Sequence, residues 1–467
     1  MASSLSLIVG RCVRVALVGL LSLLGLSGSA CTPEAVEVEQ LRALVEAAEL
    51  TPLAAAPIVS PEKLALGRAL FFDPELSGNR DQSCSSCHHP NEGMGDGRSL
   101  SVGTASVLRD GVRMPGPDHS FVPRNAPALF NLADPALVNL FWDGRVQSQG
   151  DGFVLFDVGY DALGLTRELP GNLDSLLAAQ AMLPVLVRDE LRGEAGEQDA
   201  SGETNELALI DGGDFEGIWA AVIERLLAID EYASMLANVY PEVPQTELNF
   251  AHAANAIAAF LGARMTLRGS PWDRFLAGED AALSPEQVGG ALLFYREAAC
   301  STCHEGSMLS DQLFHNIGVR PMGGGPSDLE YVDYGAAHRS HVGNEARFAF
   351  RTRPLREVAV SGPWMHNGCY TELEAVVRHH LDPLAGLHDF DTEQLAPEFR
   401  NQVHNSDEVL AQVEETISEE VLGLPDLSDD EVSQLLAFLE ALTSPGVDDL
   451  GDEIPDSVPS GLPLVGP

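Results

Sequence analysis

The 467-residue chain carries 27 Lys and Arg against 70 Asp and Glu, a formal net charge of −43, with 45% apolar residues and seven Cys. That length allows two or three domains with sizeable cores, and a charge this negative excludes nucleic-acid and anionic-lipid binders, which need Lys/Arg patches to displace counterions. Aromatic residues are only 6%, so filled cores require aliphatic side chains or a bound apolar cofactor.

Residues 1–30 hold Arg11 and Arg14, no acid, and an apolar run from Val15 to Leu26 that ends in Gly28, Ser29 and Ala30. This is the pattern of a secretory signal, and the run is short for a membrane span. Export to the periplasm is the expectation. Loss of the segment removes two arginines and no acid, taking the charge from −43 to −45. Cys31 follows at once, so cleavage after Ala30 competes with lipid attachment at Cys31.

Residues 31–59, Pro- and Ala-rich over Thr32 to Pro57, read as a linker. Ser60-Pro61 then opens a helix with a Ser cap and Pro in the first turn, and Ser284-Pro285 repeats the signature. Each precedes a Cys-x-x-Cys-His, with Cys84, Cys87 and His88 in the first and Cys300, Cys303 and His304 about 216 residues later. Two copies make a duplicated domain rather than a solenoid. The predicted organisation is a first domain over 60–268 with a polar surface insertion near 193–217 and an Ala-rich helix from Asn249 to Leu267. A linker over 269–282, a second domain over 283–445 and a poorly packing tail over 446–467 complete it.

Two cysteines three apart can each take a vinyl group of one haem while the adjacent His turns its imidazole to the iron. A four-thiolate zinc site or a redox disulfide would use the same cysteines. Neither explains a His directly after each pair. Two covalently bound haem c groups are therefore expected, with His88 and His304 as proximal ligands, and they supply the apolar bulk that the aromatics lack.

With the haem sites in place, the chain from about Ser60 to Thr443 resembles the bacterial di-haem cytochrome c peroxidases and the MauG-type methylamine-utilisation di-haem enzymes. The motifs that carry the resemblance are Pro123-Arg-Asn-Ala-Pro127, Phe141-Trp-Asp-Gly-Arg145, Pro184 with Glu190 six residues on, Arg353-Pro-Leu-Arg356 and Gly362-Pro-Trp-Met-His-Asn-Gly368. It implies a mainly α fold of two cytochrome c-like domains around an inter-haem interface. It implies Glu190, with Pro184, as the acid/base group at a peroxidatic haem, and Trp142 as a relay between the haems. Arg124 and Arg145 become candidate partners of haem propionates, or equally members of surface ion pairs. Asn125, Ser361 and Pro363 match a calcium site of oxygen ligands, Ser361 replacing the family's usual Thr. His119 is the nearby candidate for a distal ligand of the first haem. Ala298 stands where the MauG-type enzymes have Trp.

The sixth ligand of the second haem comes from Met365, His366, His379 and His380. In the family it lies fourteen residues after the His of Pro-x-x-His-x-Gly, and fourteen from His366 is His380. Helical periodicity selects the same residue. Thr371 to Glu374 reads as a capping box, and Leu373, Val376, Val377 and His380 fall on one apolar face while His379 projects about 100° away. The expectation is a bis-His haem of low potential, whereas the peroxidases carry Met there.

Three readings follow. The first is a peroxidase that reduces hydrogen peroxide with electrons from cytochrome c or another small redox protein. The second is a MauG-type oxidase of a protein or small molecule, and the third a non-catalytic electron carrier, against which Glu190 and Pro184 argue. The acidic surface suits a basic donor. A homodimer is open, and Cys369 is a small buried residue.

Overall fold

A computed structural model describes residues 33–156, 166–323, 332–339 and 343–467; the predicted signal at 1–30 and Cys31 lie outside them. The fold is helix-rich, with a few short strands. Among the described residues no helix is long and apolar enough to cross a membrane.

Both Ser-Pro signatures start helices. The Ser60 hydroxyl accepts from the Lys63 N–H at 3.2 Å and helix Pro61–Phe72 follows. In the second copy the Ser284 hydroxyl accepts from the Gln287 N–H at 3.2 Å and the Gln287 side chain accepts from the Ser284 N–H at 2.9 Å, opening helix Pro285–Tyr295. Helix 61–72 crosses helix Phe250–Arg264, and helix 285–295 crosses helix Asp429–Glu440. A Cβ on Gly67 would lie 1.9 Å from the Ala256 carbonyl oxygen, and one on Gly290 1.8 Å from that of Gln434. Only glycine admits the partner backbone at either crossing.

Each pair of helices centres a hydrophobic core. The first gathers Leu66, Leu70, Phe71, Ala254 and Phe260, and the second Phe294, Leu292, Leu435 and Phe438. Between the helices of the first half runs a four-stranded antiparallel sheet in sequential order, Asn139–Leu140, Val146–Gln149, Gly152–Phe156 and Thr166–Glu168. The turn between its first two strands carries Trp142, Asp143 and Arg145.

Both linkers and the tail differ from their sequence reading. Segment 31–59 contains helix Pro33–Ala47, whose Leu41 and Val45, four residues apart on one face, are buried in the second core. Arg42 lies 3.7 Å over the Phe275 ring. Segment 269–282 contains helix Pro271–Leu276, capped by Ser270, and its Trp272 and Phe275 belong to the same core. The tail packs on the opposite half: Leu450 and Val458 enter the first core. The Ser460 hydroxyl donates to Asp73 Oδ1 at 2.6 Å, and Arg68 Nε donates to the Glu453 carbonyl at 2.6 Å. Single apolar residues spread among Pro, Gly and Asp show no periodicity, yet each still gains from burial. Each end of the described chain thus fastens to the other half. The 193–217 segment is exposed at 200–204 but anchored by the buried Asn205 and Leu207.

Candidate active site

Two cavities hold the two Cys-x-x-Cys-His sequences. The first is lined by Cys84, Cys87 and His88 together with Pro184 and Glu190, and the second by Cys300, Cys303 and His304 together with His380. Trp142 lines both. Its Nε1 donates to the Asn125 carbonyl at 2.9 Å, which fixes the indole in the wall between them, and the Arg353 guanidinium lies 5.2 Å over the ring.

Three histidines share one device. His88 Nδ1 donates to the Met94 carbonyl at 3.2 Å, His304 Nδ1 to Leu309 at 3.0 Å and His380 Nδ1 to Val376 at 2.8 Å. A carbonyl on Nδ1 fixes the tautomer and leaves the Nε2 lone pair for a metal. Burial pushes His88 and His304 down to about 4, and it lowers His380 as well, so the rings are neutral. Across the second cavity the ring centres of His304 and His380 are 6.5 Å apart. Two imidazoles on one metal need about 6 Å, given a metal–nitrogen bond of about 2 Å.

Helix Leu373–Leu381 turns Leu373, Val376, Val377 and His380 into this cavity. Thr371 does not form the expected box: Glu372 caps the helix without a side-chain bond, and Glu374 turns to Arg378, whose Nε donates to it at 2.8 Å. His379 is spent elsewhere, its Nε2 donating to the Ile317 carbonyl at 2.7 Å and its Nδ1 accepting from the Tyr370 hydroxyl at 2.9 Å. His366 and Met365 line the second cavity, and the His366 ring stacks on Phe350 with centres 3.5 Å apart.

Glu190 sits in a one-turn π-helix, Arg188–Arg192, a geometry frequent at functional sites. The Thr104 N–H donates to its carbonyl at 2.9 Å, and the Gly78 N–H to that of Leu191 at 2.6 Å. Burial pushes the Glu190 carboxyl up to about 7, with the Arg145 charge opposing and the Asp189 charge adding. Among the described residues no hydrogen bond or ion pair holds that carboxyl, which lines the first cavity; the second imidazole there, His338, accepts the Tyr334 N–H on its Nε2 at 2.9 Å.

Several candidates stand differently from their sequence reading. Arg124 is not left for a propionate. Its Nε and Nη2 bind Asp333 at 2.6 and 2.9 Å and its Nη1 lies 2.8 Å from Asp143, which also takes Arg145. These carboxylates are buried; burial opposes ionisation, but the Arg145 and Arg124 charges hold Asp143 well below the usual range. One buried cation without a carboxylate partner among the described residues is Arg351, which sequence reasoning missed. Buried in the wall of the second cavity, it donates from Nε to the Phe141 carbonyl at 3.0 Å, while Nη1 and Nη2 have no partner. A buried guanidinium fork left open fits an anionic group such as a propionate. In the first cavity Gln82 Oε1 and Gln180 Oε1 are likewise unpartnered. The donor set and these open polar atoms fit a haem in each cavity.

His119 is not free to ligate. Its Nδ1 lies 3.0 Å from Asp189 Oδ1 and its Nε2 2.7 Å from Glu197 Oε1. Asn125, Ser361 and Pro363 line the second cavity, with Asn125 Nδ2 donating to the Arg98 carbonyl at 2.9 Å. Cys369 is fully buried among apolar neighbours.

Residues 61–281 match the model of the family described as di-haem cytochrome c peroxidase. The chain is similar to the di-haem cytochrome c peroxidases. Within that group it is 28% identical to the methylamine utilization protein MauG of Methylorubrum extorquens over 346 residues, 74% of this chain and 76% of that protein. It is 28% identical to the cytochrome c551 peroxidase of Pseudomonas aeruginosa over 335 residues, 70% and 74% of the two chains. The crystal structure of a MauG-like protein associated with microbial copper homeostasis superimposes with a TM-score of 0.56 at 23% identity, covering 87% of this chain and 96% of that one. Both peroxidases and MauG proteins are thus among the relatives of the di-haem peroxidase family that this chain resembles.

Proposed function

We propose that the protein is a di-haem peroxidase that reduces hydrogen peroxide to two waters with two electrons from cytochrome c or a similar small redox protein and two protons from solvent. One observation carries this reading: the cavities are unlike, the second setting two imidazoles against each other and the first holding His88 together with an unpaired carboxyl near neutrality. Cys84 and Cys87, and Cys300 and Cys303, would hold the two haems covalently in two cytochrome c-like domains, with His88 proximal in the first and His304 and His380 on the second. Bound there, haem supplies iron that changes oxidation state by single electrons.

The protein's own part is proton handling, electron passage and exclusion of water. Glu190, half ionised near pH 7, takes the proton from one peroxide oxygen and returns it to the other as the O–O bond breaks, the task to which a pKa near the working pH is matched. Pro184 shapes the turn that precedes it. Trp142, shared by both cavities, lies on the path between the haems. Arg351 offers its open fork to a propionate. Asn125, Ser361 and Pro363 are proposed as calcium ligands between the halves, and the protein as periplasmic once residues 1–30 are removed, with or without lipid at Cys31.

A MauG-type oxidase of a protein or small molecule is the second reading, favoured by His380. A His in place of Met lowers the potential, which suits storage of oxidising equivalents better than uptake of electrons from a high-potential donor. Turnover of peroxide with reduced cytochrome c, measured beside haem content, decides between them: steady oxidation supports the peroxidase, and peroxide consumption without it supports the oxidase. One haem per chain would overturn both.

A further inference from the structure

We propose that His119 is a positioning residue for Glu190, its imidazolium holding the neighbouring Asp189 carboxylate at the edge of the first cavity and offsetting its negative charge. This deepens the reading of Glu190 as the acid/base group and rests on it. The two carboxylates, adjacent in sequence, sit on one π-turn, where their repulsion would otherwise fall on the group that must move a proton. The structure separates their fates. Both line the cavity, but Glu190 has no partner there among the described residues, whereas Asp189 Oδ1 meets His119 Nδ1 at 3.0 Å. Carboxylates on both ring nitrogens need both nitrogens to donate, which only the charged imidazole can do.

The clamp extends outward. Glu197 accepts from His119 Nε2 at 2.7 Å through Oε1 and from Asn79 Nδ2 at 2.8 Å through Oε2, so His119 pins the 193–217 segment to the catalytic turn. The imidazole is only 2% exposed, and the hydrogen bond to Asp189, with Glu197 behind it, outweighs burial and raises its pKa. The charged groups around the pair are Arg188, which bridges Asp189 and Glu194, and Arg145, which lines the same cavity as Glu190 and favours its ionised form. Arg188 is a third exposed and already shared, leaving His119 as the buried cation on Asp189.

The test is the pH dependence of peroxide reduction by the holoprotein, with infrared titration of the Glu190 carboxyl, whose band is identified by its loss in Glu190→Gln. In His119→Gln the uncovered Asp189 charge should move the Glu190 midpoint up by about half a pH unit or more. The same substitution made on Asp189→Asn should move it by less than half as much. Glu197→Gln, which leaves the turn's own contacts in place, should move it in the same upward direction. An infrared midpoint unmoved by His119→Gln in a folded protein with its native haem spectrum overturns the inference. If Glu190→Gln keeps the acid limb of the rate profile, the reading of Glu190 as acid/base group fails instead, and the infrared midpoint still decides the role of His119.

Discussion

His304 and His380 face each other across one cavity with ring centres 6.5 Å apart, each with its Nδ1 bound to a backbone carbonyl. Replacing His380 by Ala should convert a low-spin haem spectrum to high-spin, whereas His379→Ala should leave it low-spin. The latter loses two buried hydrogen bonds and about 1–3 kcal/mol of stability. Optical spectra and denaturation of the two variants check this, and an unchanged spectrum in His380→Ala would sink the ligand assignment.

Glu190 should set the pH profile. With its carboxyl at about 7 through burial, the base form needed for the first proton transfer grows as pH rises through that value. Peroxide reduction should climb over the same interval. Glu190→Gln should remove the limb and slow the reaction 10²–10⁴-fold, measured by stopped-flow mixing with peroxide. Stability runs the other way: a carboxyl raised on folding contributes least penalty below its unfolded value and costs stability as pH rises through about 7. Glu190→Gln should therefore be more stable than the parent at pH 8.

Arg351 brings a buried positive charge, bound to no protein carboxylate, to the second cavity. A cation there favours the reduced haem, which carries one positive charge fewer. Arg351→Met should lower that haem's potential by roughly 59 mV, one tenfold step for a single electron, in a spectroelectrochemical titration. An unshifted potential would place the guanidinium's role in packing alone.

Deletion of residues 446–467 should destabilise the first half, and deletion of 33–47 the second. The tail buries Leu450 and Val458 and binds Asp73, and the N-terminal helix buries Leu41 and Val45. At about 1.5–3 kcal/mol for each buried side chain, either loss is several kcal/mol. Thermal melts followed in the haem bands read it directly; a melt unchanged by the tail deletion contradicts the packing described.

What local spacing governs could be read in advance. Cys-x-x-Cys-His, the two Ser-Pro helix starts and the face that carries His380 all follow from neighbours within one or two turns. Pairings between distant segments could not. Arg124 meets Asp333 209 residues away, and His119 meets Asp189 70 residues away, so an arginine open between a propionate and an ion pair, and a histidine open between a ligand and a loop residue, both found carboxylates of the chain itself. Arg351 was hidden for the converse reason: an unpaired buried cation is recognisable only once its surroundings are known. The cap at Thr371 failed because Glu374 found Arg378 one turn ahead.

The fastening of each end to the opposite half also orders events in time. The first core lacks Leu450 and Val458 until nearly the whole chain has been made. The roughly 370 residues that follow Cys87 take about 20–70 s to synthesise at 5–20 residues per second. Through that interval the core against which Cys84 packs is unfinished, and the C-terminal strap is the last piece to join it.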